Sequence, residues 1–160
     1  MKQKVAVILG ATATGKSHCA IEIAKKFHGE IISGDSMLVY RGMDIGTAKP
    51  TAAELAAAPH HLVNILPPEA SFNVVDFQQQ AARLIKEINE RGYLPIIAGG
   101  TGLYIKALLE GYAFSSVEGN GELRRQLEAE AQAGGGAALY ARLRALDPEA
   151  AGRIHPHNIR

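Results

Sequence analysis

At 160 residues with a formal net charge of +1, the chain has the length of about one ordinary domain and can bury a normal core, so no disulfide or metal staple is needed. Near-neutral charge argues against wholesale electrostatic binding to nucleic acid, although basic side chains outnumber acidic ones in residues 1–50 and the balance reverses over residues 51–121. A single cysteine, Cys19, excludes an internal disulfide and suits a reducing cytosol; on the first helix it is expected to be a small buried apolar residue. The opening apolar run is too short for a signal peptide. The most apolar later stretch, Tyr93 to Leu109, is interrupted by Pro95, glycines and Lys106, so no membrane segment is expected.

In chain order, Val5 to Leu9 reads as a buried strand, Ser17 to Phe27 as a helix and Glu30 to Ser33 as a second strand. Thr51 with Glu54 forms a capping box for a short alanine-rich helix, and His61 to Ile65 reads as a third strand. Asn73 caps an amphipathic helix over Val74 to Arg91, in which Phe77, Ala81, Leu84, Ile85 and Ile88 recur at helical spacing until Gly92 stops it. A fourth strand, Leu94 to Ala98, leads through GGTGLY into a helix ending near Leu109. Strands separated by helix-length segments predict an α/β fold, a mostly parallel doubly wound sheet whose ligands sit beyond the carboxyl ends of the strands.

From about Ala113 the texture changes. A glycine-dotted link over residues 115–121 precedes helical patterns over Leu123 to Ala133 and Ala137 to Leu146, broken at Gly134 to Gly136, with Leu139, Leu143 and Leu146 on one face. These elements predict a core over residues 1–112 and the start of an all-helical subdomain over 113–160. There are no internal repeats. The ending IHPHNIR shows no capping or amphipathic pattern, and the chain reads as cut off at Arg160.

The chemistry concentrates at the expected strand ends. GATATGKS, Gly10 to Ser17, fits the G-x-x-x-x-G-K-[ST] spacing between a strand and a helix. Gly10 and Gly15 are expected to take backbone conformations closed to other residues, turning successive N–H groups of Ala11, Thr12, Ala13 and Thr14 around an anion. Lys16 supplies a point charge to terminal phosphates, the Ser17 hydroxyl is a ligand for Mg²⁺, and the helix that follows aims its positive end at the same anion. The loop does not say which phosphate compound is bound, since kinases, NTPases and diphosphate-releasing transferases share such a cradle.

Gly34 to Pro50, GDSMLVYRGMDIGTAKP, is too polar and glycine-rich for a core element and reads as a long loop against the phosphate site. Just past a strand end, Asp35 suits a metal ligand, a general base or a helix N-cap. In GGTGLY the adjacent glycines let backbone approach a ligand, and Thr101 is either a donor to a phosphate oxygen or the cap of the following helix. His60 and His61 point apart on an extended segment and read as structural or surface residues.

Taken together, GATATGKS, GDSMLVYRGMDIGTAKP, PHHLVNI (Pro59 to Ile65), GGTGLYIKALLEG (Gly99 to Gly111) and LDPEAAGRIHPHNIR (Leu146 to Arg160) resemble, in order and spacing, the tRNA dimethylallyltransferase family, also called tRNA isopentenyltransferases. The resemblance implies a P-loop NTPase-like fold and transfer of a dimethylallyl group from dimethylallyl diphosphate to N6 of the adenosine immediately 3′ of the anticodon. It implies a diphosphate held by residues 10–17 with Mg²⁺ on Ser17, catalytic roles for Lys16, Asp35 as base and Thr101 as donor to the bridging oxygen, and contact of Asp35, Ser36, Met37, Leu38 and Thr101 with the substrate tRNA. The implied partners are the tRNA anticodon stem-loop and dimethylallyl diphosphate, for a cytoplasmic, monomeric protein. Ala11 stands where the family usually has proline, and Leu38 where glutamine is frequent, which removes one polar contact to the base. Members normally continue well past Arg160 with the rest of the helical insertion, the last parts of the core and an arginine-containing segment, so the chain is expected to keep the donor-site loop while lacking much of the tRNA grip. Two other activities use the same cradle: prenyl transfer to free AMP, ADP or ATP, and small-molecule or nucleotide phosphorylation.

Overall fold

The computed structural model describes residues 3–114 and 120–158, which fall in two compact units, 1–114 and 115–160. In the first unit four strands, β1 (Ala6–Leu9), β2 (Gly29–Ser33), β3 (His60–His61) and β4 (Leu94–Gly99), form one sheet in the order β1-β4-β2-β3. Every pairing is parallel, with Ala6 opposite Ile96, Ile31 opposite Ile96 and Ile31 opposite His60.

The strand period of two sorts the core onto the two faces of the sheet. Ile31 and Ile96 pack with Ala20, Ile21 and Ala24 of helix α1 (Lys16–Phe27). Their neighbours Ile32 and Ile97 face the other way, onto Phe77, Ala81, Ile85 and Ile88 of α3 (Val74–Glu90) and onto Tyr104 and Ile105 of α4 (Gly102–Leu109). Helices on both faces explain why β2 is buried along its whole length, its polar residues Glu30 and Ser33 included. Phe77 stacks on Tyr104 with ring centroids 4.9 Å apart, closing the α3–α4 layer.

The predicted caps form. Asn73 Oδ1 accepts from the Val75 and Asp76 amides while Asp76 reaches back to the Asn73 amide, satisfying donors that a helix start otherwise leaves open. Asn73→Ala is expected to cost about 1 kcal/mol, read as a lower denaturation midpoint with an unchanged m-value. Thr51 and Glu54 make the same reciprocal arrangement at α2 (Ala52–Ala57). At the other end of α3, Gly92 adopts φ 81°.

Two expectations are corrected. Cys19 is exposed: at 3.6 residues per turn the stripe of Ala20, Ile21 and Ala24 turns it to the solvent side of α1. The third strand covers only His60–His61, because Leu62 and Asn64 take φ of 60° and 55°, left-handed values that interrupt an extended strand. The segment after His61 instead lies beside the loop from β2, with a parallel bridge between Tyr40 and Leu66.

The second unit contains α5 (Gly121–Gly134), α6 (Gly136–Leu146) and α7 (Pro148–Arg153). Helix α7 was not anticipated from the sequence. Asp147 Oδ1 accepts from the Ala150 amide and Pro148 occupies the first helical position, where a missing N–H costs nothing. Leu139, Leu143 and Leu146 line one apolar groove with Leu123, Leu127 and Ile154, as their spacing predicts. Most of the link over 115–121 lies outside the described residues. No described helix is long and apolar enough to cross a membrane.

Candidate functional site

In a parallel sheet the carboxyl ends of the strands lie along one edge, and here the loops after β1, β2 and β4 meet there around a cavity of about 270 Å³. It is lined by Thr12, Ala13, Gly15, Lys16 and Ser17 from the P-loop, Asp35, Leu38, Thr47 and Ala48 from the loop after β2, Ala98 and Gly99 from β4, and His18 and Glu54 from two helices.

The P-loop makes its turn at Ala13 and Gly15, with φ of 65° and 85°. Gly15 is the N-cap residue of α1, so the helix begins with its unpaired amides at the cavity. Gly10 departs from expectation: it is absent from the left-handed residues, and an added Cβ would come no closer than 3.4 Å to Thr14 Oγ1, with Lys16 Cδ at 3.7 Å. The loop is tied internally by Thr14 Oγ1 donating to the Ala11 carbonyl at 2.8 Å, and Lys16 Nζ donates to the same carbonyl.

Asp35 sits one residue past Gly34 with a fixed orientation. The Met37 amide donates to Asp35 Oδ1 at 2.9 Å, an Asx turn that pins one carboxylate oxygen and leaves Oδ2 without a backbone claim. Thr101 does not cap α4 through its side chain. Its Oγ1 accepts from the Ser36 amide at 3.1 Å, and its own amide donates to the Gly34 carbonyl at 3.2 Å. A hydroxyl that accepts one bond still has its proton to donate, so Thr101 joins the two loops and keeps a donor in reserve.

These loops close on each other through glycine. A Cβ on Gly99 would lie 2.3 Å from the backbone carbon and oxygen of Gly34, an approach that glycine at 99 allows. The close approach predicted for GGTG is therefore between β2 and β4. By contrast Gly100 would meet nothing closer than the Gly10 carbonyl at 3.5 Å.

The loop over residues 34–50 is held rather than free. The Asn64, Ile65 and Leu66 amides donate to the Leu38 and Val39 carbonyls, and Arg41 donates through Nε and Nη2 to the carbonyls of Asn64 and Ile65. Opposite the P-loop, the Thr51 backbone N–H, followed by its hydroxyl, holds the Glu54 carboxyl below the usual carboxylate range. Away from the cavity, His61 Nε2 and Arg91 both meet the buried Glu30 Oε2, at 2.6 and 2.8 Å, and His60 Nδ1 lies 2.7 Å from the Ala58 carbonyl. The adjacent histidines thus turn to different structural partners.

Residues 38–160 match the IPP transferase family model. The chain belongs to the IPP transferase family. Among its relatives is a tRNA dimethylallyltransferase of Geobacillus kaustophilus, 54% identical over 160 residues, covering 100% of this chain and 51% of the relative. The crystal structure of a full-length tRNA isopentenylpyrophosphate transferase from Bacillus halodurans is 49% identical with a TM-score of 0.70, covering 98% of this chain and 52% of that one. A eukaryotic dimethylallyltransferase acting on tRNA matches at 31% identity with a TM-score of 0.84, over 98% of this chain and 39% of its own. The IPP transferase chain thus spans about half the length of the curated relatives it matches.

Within this IPP transferase fold, the cavity gathers most of the P-loop with Asp35 and Leu38, whereas Gly10, Ala11, Thr14, Ser36, Met37 and Thr101 are not among its lining residues. Sequence reasoning did not single out His18, Thr47 or Ala48 as cavity residues, and it took Glu54 for a cap alone. His18 carried a signal, because it directly follows the motif serine on the first turn of α1; Thr47 and Ala48 carried none until the loop's folded path was known.

Proposed function

We propose that the protein transfers the dimethylallyl group of dimethylallyl diphosphate to N6 of the adenosine immediately 3′ of the anticodon, releasing diphosphate. The observation that carries this reading is that one cavity joins a P-loop to the Asp35 carboxylate, in a chain whose family members include a named tRNA dimethylallyltransferase along its whole length. On this reading residues 113–160 begin a helical insertion that grips the anticodon stem-loop, and the protein is a cytoplasmic monomer.

The chemistry follows from where charge grows. Breaking the allylic C–O bond sends its electron pair onto the diphosphate, and the amides at the start of α1 with Lys16 favour that anion more as its charge increases. The Thr101 hydroxyl donates a hydrogen bond to the bridging oxygen as it leaves, keeping its own proton. The adenine nitrogen then forms the new C–N bond, and its proton passes to Asp35 Oδ2. An adenine in a single-stranded anticodon loop enters such a pocket by turning out of its stack.

The donor set fits Mg²⁺. Ser17 offers a hard hydroxyl oxygen at the cavity, and no group of three or more His, Cys, Asp or Glu gathers among the described residues, as suits an ion that takes most ligands from phosphate and water. Held at Ser17, Mg²⁺ supplies charge neutralisation on the diphosphate.

Lys16→Ala is expected to weaken binding of inorganic diphosphate in Mg²⁺ buffer by about 10–100-fold, the worth of one charge-assisted hydrogen bond, measured by titration calorimetry. For the function itself, this chain and the full-length enzyme carrying it are incubated with Mg²⁺, dimethylallyl diphosphate and an unmodified anticodon stem-loop, and the RNA is weighed by mass spectrometry. The isopentenyl mass gain supports the proposal. No gain from either, with ATP hydrolysed or its phosphate transferred instead, would return the P-loop to the kinases.

A further inference from the structure

Lys49, next in sequence to the cavity-lining Thr47 and Ala48, is a deeply withdrawn cation. Its side chain is 4% exposed, where lysine is seldom found without partners, and its ammonium meets three oxygens: the Tyr40 carbonyl at 2.6 Å, Asp44 Oδ1 at 2.7 Å and Asn64 Oδ1 at 2.7 Å. An ammonium has three N–H donors, so each has an acceptor and the loss of hydration is met in full. Asp44, the anionic partner, is 64% exposed. The arrangement is therefore a cross-link more than a neutralised pair: it draws the base of the loop at Tyr40, its tip at Asp44 and the neighbouring segment at Asn64 to one point.

That point is wired to the cavity from two directions. Thr47 and Ala48, which line it, lie between Asp44 and Lys49 and are closed off by their contact, with Thr47 Oγ1 donating to the Met43 carbonyl at 2.7 Å. In the other direction the Tyr40 carbonyl accepts from Lys49, the Tyr40 amide donates to the Met37 carbonyl at 3.3 Å, and the Met37 amide donates to Asp35 Oδ1. An unbroken chain of hydrogen bonds and peptide units runs from the ammonium to the carboxylate.

We propose that Lys49 is a positioning residue: its ammonium fixes the loop that carries Asp35, Leu38, Thr47 and Ala48 against the P-loop, and so sets the acceptor side of the cavity without touching either substrate. This rests on the transferase reading. It separates two halves of the site, because the P-loop is built on β1 and α1, and the Lys49 contacts lie in residues 40–64.

The test uses the full-length enzyme with wild-type sequence, Lys49→Met and Lys49→Arg. Lys49→Met is expected to lower the transfer rate at saturating donor by about 100-fold, the scale of a small misplacement of reacting groups, with affinity for inorganic diphosphate in Mg²⁺ buffer unchanged. Lys49→Arg, which keeps the charge and several donors, is expected to restore most of the rate. Loss of diphosphate affinity in step with rate would reduce Lys49 to general fold support and overturn the proposal, as would a Lys49→Met enzyme with wild-type transfer. If the wild type transfers no dimethylallyl group, the functional reading fails by itself. Lys49 is then judged by hydrogen exchange: faster exchange at the amides of Tyr40, Arg41 and Asn64 in Lys49→Met, with α1 unchanged, supports the positioning role, and unaltered exchange at those amides overturns it.

Discussion

Gly99→Ala is expected to be among the most damaging small substitutions in the sheet. The new methyl would stand 2.3 Å from the carbonyl carbon and oxygen of Gly34 and 2.6 Å from its Cα. These are backbone atoms, so no rotamer change relieves the overlap and β2 and β4 must part. Their separation would strain the bonds that continue the pairing beyond the strands, Gly34 N–H to the Ala98 carbonyl at 2.9 Å and Thr101 N–H to the Gly34 carbonyl. Overpacking of this kind costs about 3 kcal/mol, or roughly 6–12 °C in melting temperature for a chain of this size. Gly100→Ala is the internal control, since its methyl meets only the Gly10 carbonyl at 3.5 Å and should leave the melting temperature near wild type. Thermal unfolding of the two variants side by side decides the matter: equal melting temperatures would mean that the Gly34–Gly99 approach does not constrain the fold.

The same contact shows where sequence reading reaches its limit. Periodicity revealed the layers, because Ile31 and Ile96 must face one way and Ile32 and Ile97 the other whatever surrounds them. Local chemistry revealed the P-loop and the caps at Asn73 and Thr51, whose partners lie within three residues. The GG pair announced a close approach but not its target, since Gly34 is 65 positions away from Gly99 and only the sheet order brings them together. Lys49 was opaque for the same reason: its partners Tyr40 and Asn64 come from different segments, and a lysine in a polar loop ordinarily reads as solvated. Helix α7 was passed over although Asp147 and Pro148 are a legible start signal. For Cys19, being on an amphipathic helix was weak evidence of burial, because only one stripe of such a helix is covered.

Asp35→Asn separates position from proton acceptance, which Asp35→Ala does not. An asparagine keeps an oxygen for the Met37 amide, so the turn now made at 2.9 Å and the loop beyond it have reason to persist. What it loses is the ability to take a proton from the adenine nitrogen as the C–N bond forms. A positioned base is worth about 10²–10⁴ in rate, and a loss of that size in single-turnover transfer is expected, with inorganic diphosphate binding retained because the P-loop contacts are untouched. Alanine would remove the turn as well and mix a misplaced loop with a missing base. Deamidation traces are controlled by confirming the variant's mass before and after the assay. If Asp35→Asn transfers at the wild-type rate, proton removal is left to water or to the leaving diphosphate, and Asp35 is then a turn residue whose Oδ1 bond is its whole contribution.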